Sequence, residues 1–194
     1  MQENANSQLS FEEFLNKISP LKTANKLGAI LFQLPPSFTV KDFKNIEQFL
    51  YNLPTADGYD YAVEFRHPSW GTEDQWEMLK HYNIAAVMTD SPAQENLQFL
   101  SDVIVTANQS FIRFHGRNSK DHYWYNYLYS EQELKPRIEK VDQLREETKI
   151  LRIYFNNHYG GKAVINAMQF KDMNEMSLSI DERRVLERAK TYIA

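Results

Sequence analysis

The 194-residue chain has no cysteine. That absence excludes disulfide scaffolds, thiolate nucleophiles, iron–sulfur clusters and cysteine-ligated zinc together, and it makes a secreted disulfide-stapled fold untenable. Long hydrophobic runs are also missing. No stretch approaches the roughly 20 apolar residues that span a bilayer, and the first ten residues (MQENANSQLS) are polar where a signal peptide would be basic and then apolar. The expected location is the cytoplasm, with no membrane partner. Excess positive charge is lacking too: 22 Lys and Arg against 26 Asp and Glu leave a net charge of −4, so any anion-binding surface must be local.

The chain does contain short apolar runs of strand length: Leu27 to Leu34, Tyr59 to Phe65, Ile84 to Thr89, Ser110 to His115 and Lys149 to Phe155. Longer segments with helical spacing lie between most of them. Phe43, Ile46, Phe49, Leu50 and Leu53 share one face of a helix, as do Leu134, Ile138, Val141 and Leu144. Capping-box spacing at Ser10/Glu13, Thr72/Gln75, Ser130/Glu133 and Ser179/Glu182 predicts four helix starts. Strands alternating with helices predict parallel βαβ units in a single α/β domain over 1–194. Spacing of this kind suits a TIM-type β/α barrel, but five strands fall short of eight.

Side chains alternate along a strand, so the polar residues between apolar ones should face a shared lumen. This reading turns Glu64 and Arg66 inward from the second run, Arg113, His115 and Arg117 from the fourth, and Arg152, Tyr154 and Asn156 from the fifth. Gln33 is sent inward from the first run, and the third ends in Asp90. Parallel sheets bind ligands at the carboxyl ends of their strands, so these groups form the candidate site. Arginine suits bidentate capture of phosphate or carboxylate, which points Arg66, Arg113 and Arg117 at a small anionic ligand. His115 is the candidate acid or base, with Glu64 and Asp90 to orient it or take a proton. Any one of these residues could equally be a structural ion pair or a satisfied core histidine.

Asn156 to Gly161 precede a predicted helix from Lys162, a place where amides could meet an anion, although a plain turn explains Gly160-Gly161 equally well. The run Tyr123-Trp124-Tyr125-Tyr127-Tyr129 follows the fourth strand and is a candidate lid or stacking wall. Pro35-Pro36 reads as a rigid turn. Glu64, His67, Asp90 and His115 are suitable types for zinc or manganese, but they lack ligand spacing and sit beside arginines, so neither a metal nor a cofactor is expected.

Taken together, LGAILFQLPPSF, VEFRHPSW, MTDSP, FIRFHGRN and YFNNHYGGKAVINA resemble the YecE-like family, domain-of-unknown-function family 72, over approximately residues 21 to 170. The resemblance implies a TIM-type barrel with no established activity. It also implies that Gln33, Glu64, Arg66, His67, Trp70, Asp90, Arg113, His115, Gly116, Arg117, Asn156 and Asn157 are signature positions. Family members usually begin with three further β/α units that this chain lacks, so the five runs would be strands four to eight of eight. The barrel would then be incomplete as given, and its open edges would invite self-association.

The expected function is binding of a small anionic or phosphorylated ligand, with acid–base or hydrolytic chemistry at Glu64, His115 and Asp90. Gln33, Arg66, His67, Trp70, Arg113, Arg117, Asn156 and Asn157 are the expected ligand contacts. The alternative is a nucleic-acid-binding or metal-dependent phosphoesterase of repair-endonuclease type on the same face, by analogy of fold alone.

Overall fold

A computed structural model describes residues 2–54, 58–91, 103–119 and 123–193. Pro92 of the MTDSP motif lies outside the described residues. Five strands form one parallel sheet in sequence order: β1 (Ile30–Gln33), β2 (Tyr61–Glu64), β3 (Ala85–Asp90), β4 (Gln109–Phe114) and β5 (Ile150–Phe155). Each falls within one residue of an apolar run identified in the sequence. Among the described residues six α-helices accompany them: α1 (Gln2–Thr23), α2 (Phe43–Tyr51), α3 (Glu73–His81), α4 (Glu131–Glu147), α5 (Lys162–Met173) and α6 (Ile180–Ile193).

Three of the four predicted helix starts are real. Thr72 with Gln75 and Ser130 with Glu133 close reciprocal capping boxes at α3 and α4, and Ser179 with Glu182 does so just before α6. Ser10/Glu13 starts nothing, because α1 already runs through it from Gln2. A Ser-x-x-Glu pair within a continuing helix is only an i,i+3 neighbour pair, and the residues before it are compatible with helix. Pro20 sits inside α1 without breaking it. The Ser19 hydroxyl donates to the Asn16 carbonyl at 2.8 Å, replacing the amide that proline lacks.

Strand alternation divides the core into an outer and an inner part. On the helix side of β1 to β3, Ile30, Tyr61, Val63 and Ala86 pack with Leu15, Ile46, Leu50 and Leu79. On the helix side of β3 to β5, Met88, Ile112 and Phe114 pack with Leu134, Val141, Leu144 and Phe170. The opposite face carries smaller residues, Ala62, Ala85 and Val87, filled by Phe111.

The sheet is rolled toward this inner face. Strands separated by two others would lie about 14 Å apart in a flat sheet, with side chains projecting in parallel. Yet Arg113 on β4 reaches Gln33 on β1 at 2.8 Å, and Arg152 on β5 reaches Asp60, just before β2, at 2.7 Å. A Cβ added to Gly28, ahead of β1, would stand 3.1 Å from the Tyr154 hydroxyl of β5. These contacts cross a lumen. At the sheet's two edges are β1 and β5, and on β5 Ile150 and Tyr154 are exposed.

Candidate functional site

At the carboxyl end of the lumen, β2 presents Glu64, whose side chain is fully buried. A buried carboxylate needs charged partners, and three cations or potential cations converge on it. Arg113 Nη1 donates to Glu64 Oε2 and, at 2.8 Å, to Gln33 Oε1. Arg66 Nε donates to Glu64 Oε1 at 3.2 Å, and His115 Nε2 lies 3.5 Å from the same oxygen. Asn156, in the loop after β5, places its Nδ2 3.4 Å from His115 Nδ1. Strand parity therefore predicted correctly that Gln33, Glu64, Arg66, Arg113, His115 and Asn156 belong together.

Burial alone would raise the Glu64 pKa, but the hydrogen bond and charge of His115 and the charge of Arg113 outweigh it and lower the value to about 2. Glu64 is therefore a carboxylate at neutral pH. It is too acidic to serve as a general acid and too weak to be an efficient base, so it fits positioning of Arg66, Arg113 and His115 better than the proton transfer expected of it. Two guanidiniums share this one carboxylate.

Asp90 does not join this group. On β3 it has the parity of Ala86 and Met88, so it faces the helices. There Arg117 grips it at two points (Nε–Oδ1 2.7 Å, Nη2–Oδ2 2.6 Å), and Arg137 of α4 binds Oδ2 at 2.6 Å. The Tyr129 hydroxyl completes the shell at 3.1 Å. Burial would raise the Asp90 pKa, but the bonds and charges of Arg117 and the charge of Arg137 lower it, while Tyr129 is raised by burial and by Asp90. Arg117 Nη1 also lies 3.5 Å from Glu133. The guanidinium of Arg117 is thus engaged on every nitrogen, and this second cluster is charge-balanced. The geometry corrects the expectation that Asp90 and Arg117 share the lumen with Glu64: they form a separate ion cluster on the helix side of the sheet.

Three further expected ligand contacts have structural positions. Trp70 is fully buried, stacked 4.6 Å from Phe65 and 5.7 Å from Phe38, and donates Nε1–H to the Phe38 carbonyl at 2.8 Å. It therefore belongs to the outer core. His67 accepts from the Ser69 amide at 3.1 Å and caps the short 3₁₀ turn Pro68–Trp70. Asn157 is fully buried and donates to the Tyr127 carbonyl (2.8 Å) and Asn166 Oδ1 (2.7 Å), tying the loop after β5 to the segment before α4.

The lid reading fails at Tyr129, which is buried and donates to Asp90 while accepting from the Gly116 amide at 2.8 Å. Gly116 has φ +96°, and a Cβ there would collide with the Trp124 carbonyl, so glycine is required. Arg137, Asp60 and Gln109 are polar partners that the sequence pattern did not single out; Asp60 and Gln109 hold Arg152 in a second polar layer deeper in the lumen. The local signal for Arg137 is its place four residues after Glu133 on the same helix face. Among the described residues, no three His, Asp or Glu side chains gather to hold a metal ion.

A family model described as "Protein of unknown function DUF72" matches residues 1–189. The chain belongs to the DUF72 family. Among its DUF72 relatives, the UPF0759 protein YunF of Bacillus subtilis (strain 168) is 27% identical over 188 residues, a match spanning 87% of this chain and 65% of YunF. The crystal structure of a DUF72 family protein (TM1631) from Thermotoga maritima MSB8 is similar with a TM-score of 0.76 and 39% identity, covering 84% of this chain and 64% of that one. A second DUF72 structure, EF0366 from Enterococcus faecalis V583, gives a TM-score of 0.75 and 26% identity over 89% of this chain and 67% of that one. The chain thus spans just under two thirds of YunF and of the Thermotoga protein. No helix among the described residues is long and apolar enough to cross a membrane.

Proposed function

We propose that this DUF72 chain binds a small anionic ligand, phosphorylated or carboxylate-bearing, at the carboxyl end of its lumen. The observation that carries this reading is the convergence of Arg66, Arg113 and His115 on the buried carboxylate of Glu64 at the carboxyl end of a parallel sheet, the end where such sheets bind ligands. Both guanidinium side chains keep some exposure there, 17% and 12% accessible, and guanidiniums suit phosphate or carboxylate. Gln33 and Asn156 supply polar groups on either side, and His115 stands where it could pass a proton to or from a bound ester. Glu64 orients the set.

In the same reading, the five strands are strands four to eight of a β/α barrel. Contacts between β4 and β1, and between β5 and the residue before β2, support this by joining facing walls of a lumen. Three additional β/α units, of the kind implied by the family resemblance, would then complete the wall between β5 and β1. The absence of cysteine is in keeping with a cytoplasmic setting.

Isothermal titration calorimetry with phosphosugars and nucleotides, on the intact protein and on Arg113→Ala, tests the binding reading. Micromolar to millimolar binding that Arg113→Ala weakens at least tenfold is expected. Absence of binding by the intact protein would overturn it.

A further inference from the structure

Exposed aromatic rings stand at the same end of the sheet as the arginines. Tyr125, in the segment after β4, stacks on His158, in the loop after β5, with centroids 4.9 Å apart and an interplanar angle of 9°. Tyr123 meets Tyr125 edge-on at 5.5 Å and 65°, making a corner of two ring faces. Tyr159 stands beside them with the Lys162 ammonium 5.8 Å from its ring centre. Tyr123 and Tyr159 are each 55% exposed.

The corner is held firmly from below. Buried Asn157 bonds the Tyr127 carbonyl, and the Lys162 ammonium donates to Asn126 Oδ1, so the two loops are joined on both sides of the stack. A short chain of contacts also links the corner to the ion cluster. His158 Nδ1 lies 2.9 Å from the Asn156 carbonyl, the Asn156 side chain lies 3.4 Å from His115, and His115 lies 3.5 Å from Glu64. The arginine cluster and a preformed ring surface are therefore linked at one end of the sheet.

From this geometry we infer that the ligand is a nucleoside phosphate, its phosphate held by Arg66 and Arg113 and its base laid against the Tyr123–Tyr125–His158 corner. The inference rests on the anion-binding reading above and adds the chemistry of the ligand's other end. A parallel stack of two flat rings extends naturally by a third flat ring, and a base offers one whatever its identity. A sugar phosphate lacking a base would reach the arginines but leave the corner empty.

The test titrates three probes, inorganic phosphate, ribose 5-phosphate and adenosine 5′-monophosphate, into the full chain and into Arg113→Ala, Tyr125→Leu and His158→Ala, following heat and tyrosine fluorescence. The expected result is that adenosine 5′-monophosphate binds at least tenfold more tightly than ribose 5-phosphate and quenches tyrosine emission. Tyr125→Leu or His158→Ala should erase that advantage while leaving ribose 5-phosphate affinity unchanged, whereas Arg113→Ala should weaken all three probes. Equal affinity for the two organic phosphates, or an advantage that survives both ring variants, overturns the nucleoside assignment and leaves anion binding standing. Failure of the intact chain to bind any probe overturns both. Because His158 is exposed, its replacement keeps the test valid should Tyr125→Leu disturb the loop.

Discussion

Replacing Glu64 by Gln removes one charge with almost no change of shape, and the structure sets what that charge is worth. In the folded protein the Glu64 pKa is lowered from 4.5 to about 2. At about 1.36 kcal/mol per pH unit, the difference corresponds to about 3 kcal/mol of stability at pH 7. Breaking a buried ion pair by removing one partner costs about 3–5 kcal/mol by an independent route, because Arg66 and Arg113 lose the carboxylate they share. A folded pKa below the unfolded one gives stability that is fully present above pH 4.5 and is lost as pH falls toward 2. At pH 3.5 only about 2 kcal/mol should remain. Urea unfolding followed by tryptophan emission, to which fully buried Trp70 contributes, reads this directly. Glu64→Gln should be less stable than the parent by about 3 kcal/mol at pH 7 and by about 2 kcal/mol at pH 3.5. Adding Arg113→Met should recover part of the loss, since it removes one of the stranded cations. A loss below about 1 kcal/mol at pH 7, or a gap that widens as the pH is lowered, would refute the account of Glu64 as the anion around which the site is organised.

Two other outcomes follow from the same structure. Asp90→Asn should lower stability by about 2–4 kcal/mol in thermal or urea unfolding, since it leaves Arg117 and Arg137 in mutual repulsion, and it should leave phosphate affinity within twofold; a large loss of affinity in a stable variant would place Asp90 in the binding site after all. Gly116→Ala should cost about 3 kcal/mol or more, because it combines a positive φ with a collision against the Trp124 carbonyl, while Gly160→Ala, at φ +62° with open space around it, should cost only about 1 kcal/mol; equal unfolding midpoints for the two would contradict the packing described around Gly116.

The five strands were legible because their runs are short, apolar and bounded by turn-forming residues. The inward residues of β2, β4 and β5 were legible because YAVEF, FIRFH and LRIYF alternate in polarity, so the sequence itself shows which side chains share a face. β3 has no such alternation. Ala85, Ala86, Val87 and Met88 are all apolar and all buried, and with both faces covered nothing local says whether Asp90 turns toward the lumen or toward α4. The decision comes from Arg137, 47 residues away, and from Tyr129. Trp70 and Asn157 were misread for a related reason. Each looks available in the sequence, but Trp70 Nε1 finds the Phe38 carbonyl across 32 residues and Asn157 finds the Tyr127 carbonyl across 30. A polar atom that a distant backbone satisfies is hidden from any local pattern.

The described polar residues divide into two clusters that differ in what they join. Around Asp90, Arg117, Arg137, Glu133 and Tyr129 form a shell that pins α4 and the Gly116 turn against the sheet on its helix side. Around Glu64, Arg66, Arg113 and His115 converge on one buried carboxylate on the lumen side, at the carboxyl end of the strands. Under the proposed function, an arriving anion would meet guanidiniums already oriented by Glu64, so less ordering would be left to be done on binding. On that reading the Asp90 cluster serves the fold alone, whereas the Glu64 cluster serves both the fold and the ligand.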